Sequence, residues 1–238
     1  MRETPLVPRC RLGELTVVRH GQSTANAAFA AAGEDGRAPR ALREAGDAAV
    51  PLSPLGVLQA ERCGTLLAGR VPGADLVLCS PYRRAQETWQ IMAAQVARLG
   101  RSIPPVLVDE RVRDRETGVL ELMTPADVRA EAPEEARRRA RTGEWCYRPP
   151  GGESLADVAL RVRDVLAELG AAVPGAHVLV VAHDGIAVTA RHVLAGIGSP
   201  ADLQRVGNAS VSSWEGDGRR LRLVAFGATN HLEGLPVA

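Results

Sequence analysis

Aromatic residues are scarce: three Trp, two Tyr and two Phe make up 3% of the 238-residue chain, so the core must be aliphatic. Cysteine is sparse too. Cys10, Cys63, Cys79 and Cys146 include no Cys-x-x-Cys pair, which argues against a disulfide framework or a thiolate zinc site and fits reduced thiols in a cytoplasm. No stretch approaches the ~20 apolar residues of a membrane span. Met1 to Cys10 holds two prolines and several charges where an export signal needs an apolar run. The formal net charge of +1 gives no global field to draw the chain onto nucleic acid or an anionic membrane, so neither is expected as a partner. What remains, 45% hydrophobic and 24% charged residues, is ordinary for a globular protein and supplies one sizeable domain. We expect an extension over 1–14, a domain over 15–227 and a tail over 228–238.

Leu15-Thr16-Val17-Val18 reads as a buried strand that runs into Arg19-His20-Gly21, with a helix starting near Ser23. Residues 33–50 lack an apolar face and read as an irregular surface insertion. Ser53-Pro54 can cap a helix reaching about Gly69. Leu76 to Cys79 is a second strand, and after Ser80-Pro81 a helix follows with Trp89, Met92, Val96 and Leu99 on one face. A third strand at 106–108 leads into a charged loop over 109–121, a short helix capped by Thr124-Pro125, and a basic helical segment over 134–141. Ser154 caps a helix with the stripe Leu155, Val158, Val162, Val165, Leu166 and Leu169, and Gly170 should stop it. Residues 177–182 form a fourth, apolar strand, followed by a helix ending at Gly196. Val211 to Glu215 and Leu221 to Phe226, around Gly216-Asp217-Gly218, predict an edge hairpin. Alternating strands and helices imply a single α/β domain, with a mostly parallel central sheet and helices on both faces. The site of such a sheet lies beyond the carboxyl ends of its strands, where Arg19-His20, Ser80 to Arg84 and His183 fall.

A histidine after a strand is usually structural, but the neighbours of His20 form a phosphate cradle. Arg19 supplies a cation, Gly21 lets backbone N–H groups face an anion, Ser23 and Asn26 add neutral donors, and a helix start adds its positive end. Arg19-His20-Gly21-Gln22-Ser23 with Asn26 resembles the signature of the histidine phosphatase superfamily, which includes cofactor-dependent phosphoglycerate mutases. Further segments match in order: Leu52-Ser53-Pro54-Leu55-Gly56 with Gln59-Ala60, Ser80-Pro81-Tyr82-Arg83-Arg84-Ala85 with Thr88, Gly152-Glu153-Ser154, and Val181-Ala182-His183-Asp184-Gly185. The resemblance spans roughly Leu15 to Phe226.

It implies that His20 accepts the phosphoryl group and that Arg19, Arg84 and His183 complete the phosphate pocket. Two guanidinium groups would depress the imidazole pKa and also bind a phosphate dianion through planar forks. The resemblance further implies a general acid in the loop after the third strand. Asp114 matches the usual glutamate there but is one methylene shorter, which leaves Glu116 as the alternative. Glu110 and Arg115 read as solvent-exposed partners of their neighbours. The arginines of 137–141 read as a solvated helix face, with a clamp for a second anionic group as the alternative. Trp145 to Arg148 can line the substrate pocket, with Arg148 as its cation. Tyr82 is divided between that wall and the core, and Asn208 and Ser210 resemble a late element of the family.

The expected activity is hydrolysis of a small phosphomonoester through phosphohistidine, with no metal or cofactor. A phosphoglycerate mutase-type transferase and a non-catalytic phosphate-binding protein are the alternatives. Nothing in the sequence fixes the oligomeric state, and a homodimer is compatible with it.

Overall fold

The computed structural model describes residues 6–33, 35–44, 46–70, 73–197 and 202–236. Strand β1 (Glu14–Arg19) leads into helix α1 (Thr24–Ala32), where Ser23 and Asn26 form a reciprocal capping box. A short helix α2 (Ala41–Glu44) and a single 3₁₀ turn (Asp47–Ala49) follow, so the expected irregular insertion has some order of its own. Helix α3 (Pro54–Ala68) is capped by Ser53, whose side chain accepts from the Gly56 N–H. Then come β2 (Leu76–Cys79), α4 (Arg83–Arg98) and β3 (Val106–Val108). Trp89, Met92 and Val96 of α4 are buried, but Leu99 closes the helix half exposed, since it lies beyond the last packed turn.

Two 3₁₀ turns order the charged loop, and helices α5 (Pro125–Glu131) and α6 (Pro133–Thr142) follow. Helix α7 (Leu155–Ala172) buries its whole predicted stripe. It does not stop at Gly170. That glycine lies inside the helix because the chain at Cys10 and Arg11 crosses it, with Arg11 N 3.2 Å from where a Cβ would sit. Strand β4 (His177–Ala182), helix α8 (Asp184–Ala195) and the hairpin β5 (Val211–Gly216) and β6 (Leu221–Ala228) complete the order.

The six strands run β3-β2-β4-β1-β5-β6. The first four are mutually parallel, and β5 joins β1 antiparallel, pairing Leu15 with Trp214. One aliphatic cluster joins Leu15, Val17, Val178 and Val180 to α7 and α8. The other joins Val77, Cys79, Leu179 and Val181 to Cys63 of α3 and to α4. The sheet is therefore covered on both faces, and its central strands β1 and β4 end side by side, with Arg19 paired to Ala182. Cys10 and Leu12, read as part of an extension, lie in the first cluster. In the segment read as a tail, Leu232 packs against the second cluster and His231 lies 3.3 Å from the Cys63 sulfur. Among the described residues, no helix is long and apolar enough to cross a membrane.

Candidate active site

His20 follows the last residue of β1, and its backbone is fixed before its ring is considered. Its N–H donates to Ala182 O (2.8 Å), and its carbonyl accepts from Ala209 N–H (3.0 Å) and Asn208 Nδ2 (3.3 Å). The ring is buried at 2% exposure. Nδ1 lies 2.7 Å from Gly21 O, a group that can only accept, so Nδ1 carries the proton and Nε2 presents a lone pair. Arg84 Nε donates to that Nε2 at 3.2 Å. Burial first, then the charges of His183, Arg84 and Arg19, holds the His20 imidazole well below its ordinary value of 6.5. This is the protonation state that a nucleophilic imidazole needs.

His183 follows β4 and is completely buried, its ring 5.1 Å from that of His20 and edge-on to it. Ser80 Oγ accepts from Tyr82 N–H and lies 2.8 Å from His183 Nε2; with the His183 proton on Nδ1, on the side of the Asp114 carboxylate, the hydroxyl is the donor of that bond. That Nδ1 lies 3.1 Å from Asp114 Oδ2 without an aligned hydrogen bond. Arg19 donates through Nη1 to Val206 O (2.7 Å), and its buried Nε has no partner among the described residues. The buried Arg19 Nε, in the wall of the same cleft as His20, is a donor that suits an anion with several oxygens.

Arg84 links the groups. Besides His20, its Nη2 donates to Asp114 Oδ2 (2.8 Å), and its two terminal nitrogens grip both Asp47 oxygens at 3.0 and 3.1 Å. Asp114 Oδ1 accepts from the Arg115 N–H. Burial would push the Asp114 carboxyl up, but the His183 and Arg84 charges outweigh it and hold the group well below the usual carboxylate range. The loop carrying Asp114 is stapled by Arg161, which donates to the carbonyls of Arg111, Arg113 and Asp114. Arg115 is not a solvated partner, as the sequence suggested. It is largely buried, paired with Glu144, and bonded to the carbonyls of Glu153 and Tyr147.

These groups open into a cleft of about 310 Å³. Arg19, His20, Ser23, Asn26, Arg84 and Asp114 line it, with an apolar wall of Phe29, Leu120, Leu122 and Met123 and a charged mouth at Arg139, Glu144 and Arg205. Asn26 Oδ1 accepts from Ser23 N–H and Asn208 Nδ2, which turns its own NH₂ group outward as a donor.

Other expected residues fall elsewhere. Gly21 does not offer its N–H to an anion: that N–H donates to Thr88 Oγ1 (3.1 Å), and the residue is glycine because a Cβ would meet Gly56 O at 2.4 Å. Glu116 accepts from the Tyr82 hydroxyl (2.7 Å) and faces a separate surface hollow, away from His20. Tyr82 is buried behind the site, edge-on to His183, with the Arg84 guanidinium over its ring. Arg148 is exposed and paired with Asp157, outside the cleft. Trp145 packs edge-on against His192 and does not line the cleft. Asp47 was missed altogether; a lone aspartate in an Ala- and Gly-rich stretch gives no signal.

The model of the histidine phosphatase superfamily (branch 1) matches residues 15–229. The chain belongs to that superfamily. A glucosyl-3-phosphoglycerate phosphatase of Mycolicibacterium vanbaalenii is 34% identical over 211 residues, covering 84% of this chain and 83% of the relative. A 2,3-bisphosphoglycerate-dependent phosphoglycerate mutase of Azorhizobium caulinodans is 32% identical over 171 residues, covering 71% and 75%. The solved mycobacterial glucosyl-3-phosphoglycerate phosphatase in complex with VO3 superposes with a TM-score of 0.69 at 30% identity, covering 91% of this histidine phosphatase and 99% of that chain.

His20, Asp114 and His183 place ligand atoms within 4.8 Å of one another, close enough to hold a metal ion. The Arg84 guanidinium, with Nε 3.2 Å from His20 Nε2, would repel a divalent cation there and attract an anion. The donor set fits an anion better.

Proposed function

We propose that this histidine phosphatase hydrolyses a small phosphomonoester through a phosphoryl group carried on His20 Nε2. The observation that supports this most is a buried neutral imidazole whose Nε2 faces Arg84, with the buried Arg19 Nε in the wall of the same cleft and the His183 ring 5.1 Å away. Phosphoryl transfer asks a protein chiefly to align the group and stabilise its equatorial oxygens, and these donors do so. Arg19, Arg84, His183 and the Asn26 amide would bind the oxygens, while the Gly21 carbonyl holds the His20 tautomer.

The chemistry of the cleft supports a substrate whose phosphate sits beside a further anionic or hydroxylated body, as in glucosyl-3-phosphoglycerate, the compound named for the phosphatase relatives. Arg139 and Arg205 at the mouth could meet that second group. Hydrolysis is preferred over mutase chemistry because the phosphatase relatives cover more of the chain.

Trapping the intermediate tests the reading. The native protein, quenched during turnover of p-nitrophenyl phosphate, should carry an acid-labile, base-stable phosphoryl group that His20→Ala lacks, and turnover should be unchanged by EDTA. A chelator-sensitive rate, or labelling that survives His20→Ala, would refute it.

A further inference from the structure

Resting on the phosphohistidine reading, we infer that Asp47 is the catalytic carboxyl that protonates the departing alkoxide and later takes a proton from the attacking water. Both carboxylates face the single Arg84 guanidinium, so with both ionised that cation is already more than balanced when a phosphate dianion arrives. One carboxyl must leave the Arg84 fork or become neutral. Asp114 is poorly placed to do either. Its two oxygens are held by Arg84 and by the Arg115 N–H, it lies against His183, and its backbone is stapled by Arg161.

Among the described residues the Asp47 carboxyl is held only by the Arg84 terminal nitrogens, the edge that an incoming phosphate would claim, while its backbone is fixed by Arg84 Nη1 on its carbonyl (2.7 Å) and by its N–H donating to Glu121. It sits on a single 3₁₀ turn and lines the same cleft. Displaced from the fork, it stays beside the phosphate, next to a new negative charge that favours its neutral form. Burial already pushes the Asp47 carboxyl up, with the Asp114 charge adding to this against the pull of Arg84. The shortened side chain at 114, drawn onto Arg84 and His183, gives the acid role to a second loop.

In the first step the His20 Nε2 lone pair forms the N–P bond, the P–O bond to the leaving group breaks with its electron pair on that oxygen, and the Asp47 carboxyl gives the oxygen its proton. In the second, water attacks phosphorus and its proton passes to the Asp47 carboxylate. The N–P pair returns to Nε2, and inorganic phosphate leaves.

A general acid matters most when the leaving group is basic. Single-turnover phenol release, which reports phosphorylation alone, should be compared for p-nitrophenyl phosphate and phenyl phosphate in the native protein, Asp47→Asn and Asp114→Asn. Asp47→Asn should slow release from phenyl phosphate on the order of 100-fold, while p-nitrophenyl phosphate changes by less than about threefold because its phenolate leaves without a proton. Equal losses on both substrates would overturn the assignment. So would a gain on both, which would make Asp47 only a competitor for the anion site, or leaving-group selectivity that appears in Asp114→Asn instead. If native protein forms no phosphohistidine, the function proposed above fails, independently of the behaviour of residue 47.

Discussion

At the scale of single residues, the site depends on the shape of one guanidinium. Arg84 is buried, donates through Nε to the nucleophile, and through its terminal nitrogens to two carboxylates on different loops. A lysine keeps the charge but offers one ammonium point in place of a planar fork, so it cannot face His20 and the phosphate edge at once. Arg84→Lys is therefore expected to lower kcat/KM for p-nitrophenyl phosphate by about 100-fold. A loss below about fivefold would mean that charge alone suffices. Residues 19, 20, 84 and 183 were named by the family resemblance, and the strand pattern agreed with it, since each sits at a strand end or in the segment after one, where a parallel sheet gathers its functional groups. Asp47 was not legible. Its position depends on where the 46–49 turn folds over α4, and no periodicity encodes that.

At the scale of elements, the nucleophile loop is held by two glycines that let it lie on the start of α3. The Gly21 Cβ position meets Gly56 O at 2.4 Å, and the Gly56 Cβ position meets Gln22 O at 2.0 Å. Ser53 N–H donates to Gln22 O as well, so the loop after β1 and the cap of α3 share one interface. Because both obstacles are backbone, Gly56→Ala must push the elements apart, at a cost of about 2–3 kcal/mol. A lower denaturation midpoint together with a lower kcat/KM is expected, since the shift acts on Gln22, two residues after His20. An unchanged midpoint would show that α3 can slide. The helices and parallel strands were readable from stripes and caps, and α7 shows the limit of that reading. Gly170 looks like a stop in sequence, yet it serves the crossing chain at Cys10, a long-range contact that local signals do not record.

At the scale of the whole molecule, burying two imidazoles makes folding depend on pH. His20 and His183 both lie below the ordinary value of 6.5, chiefly through burial. Above 6.5 neither the folded nor the unfolded chain protonates them, and their neutral burial costs nothing extra. Below 6.5 the unfolded chain binds protons that the folded one refuses, so unfolding becomes easier by about 1 kcal/mol per pH unit for each histidine, until the folded groups titrate. Asp114, held low, contributes stability that is lost only at still lower pH, as it falls through the folded value. Asp47 acts with the opposite sign: its raised folded value makes its contribution greatest in acid, which offsets part of the loss at the lower end. Urea midpoints measured from pH 8 to pH 5 should therefore hold steady and then fall below about 6.5. In His20→Gln the fall should be shallower by roughly one proton's worth of slope. Parallel curves for the two proteins would mean that the His20 imidazole is not kept neutral by the fold, and that the phosphate-binding cations are not arrayed around an uncharged nucleophile.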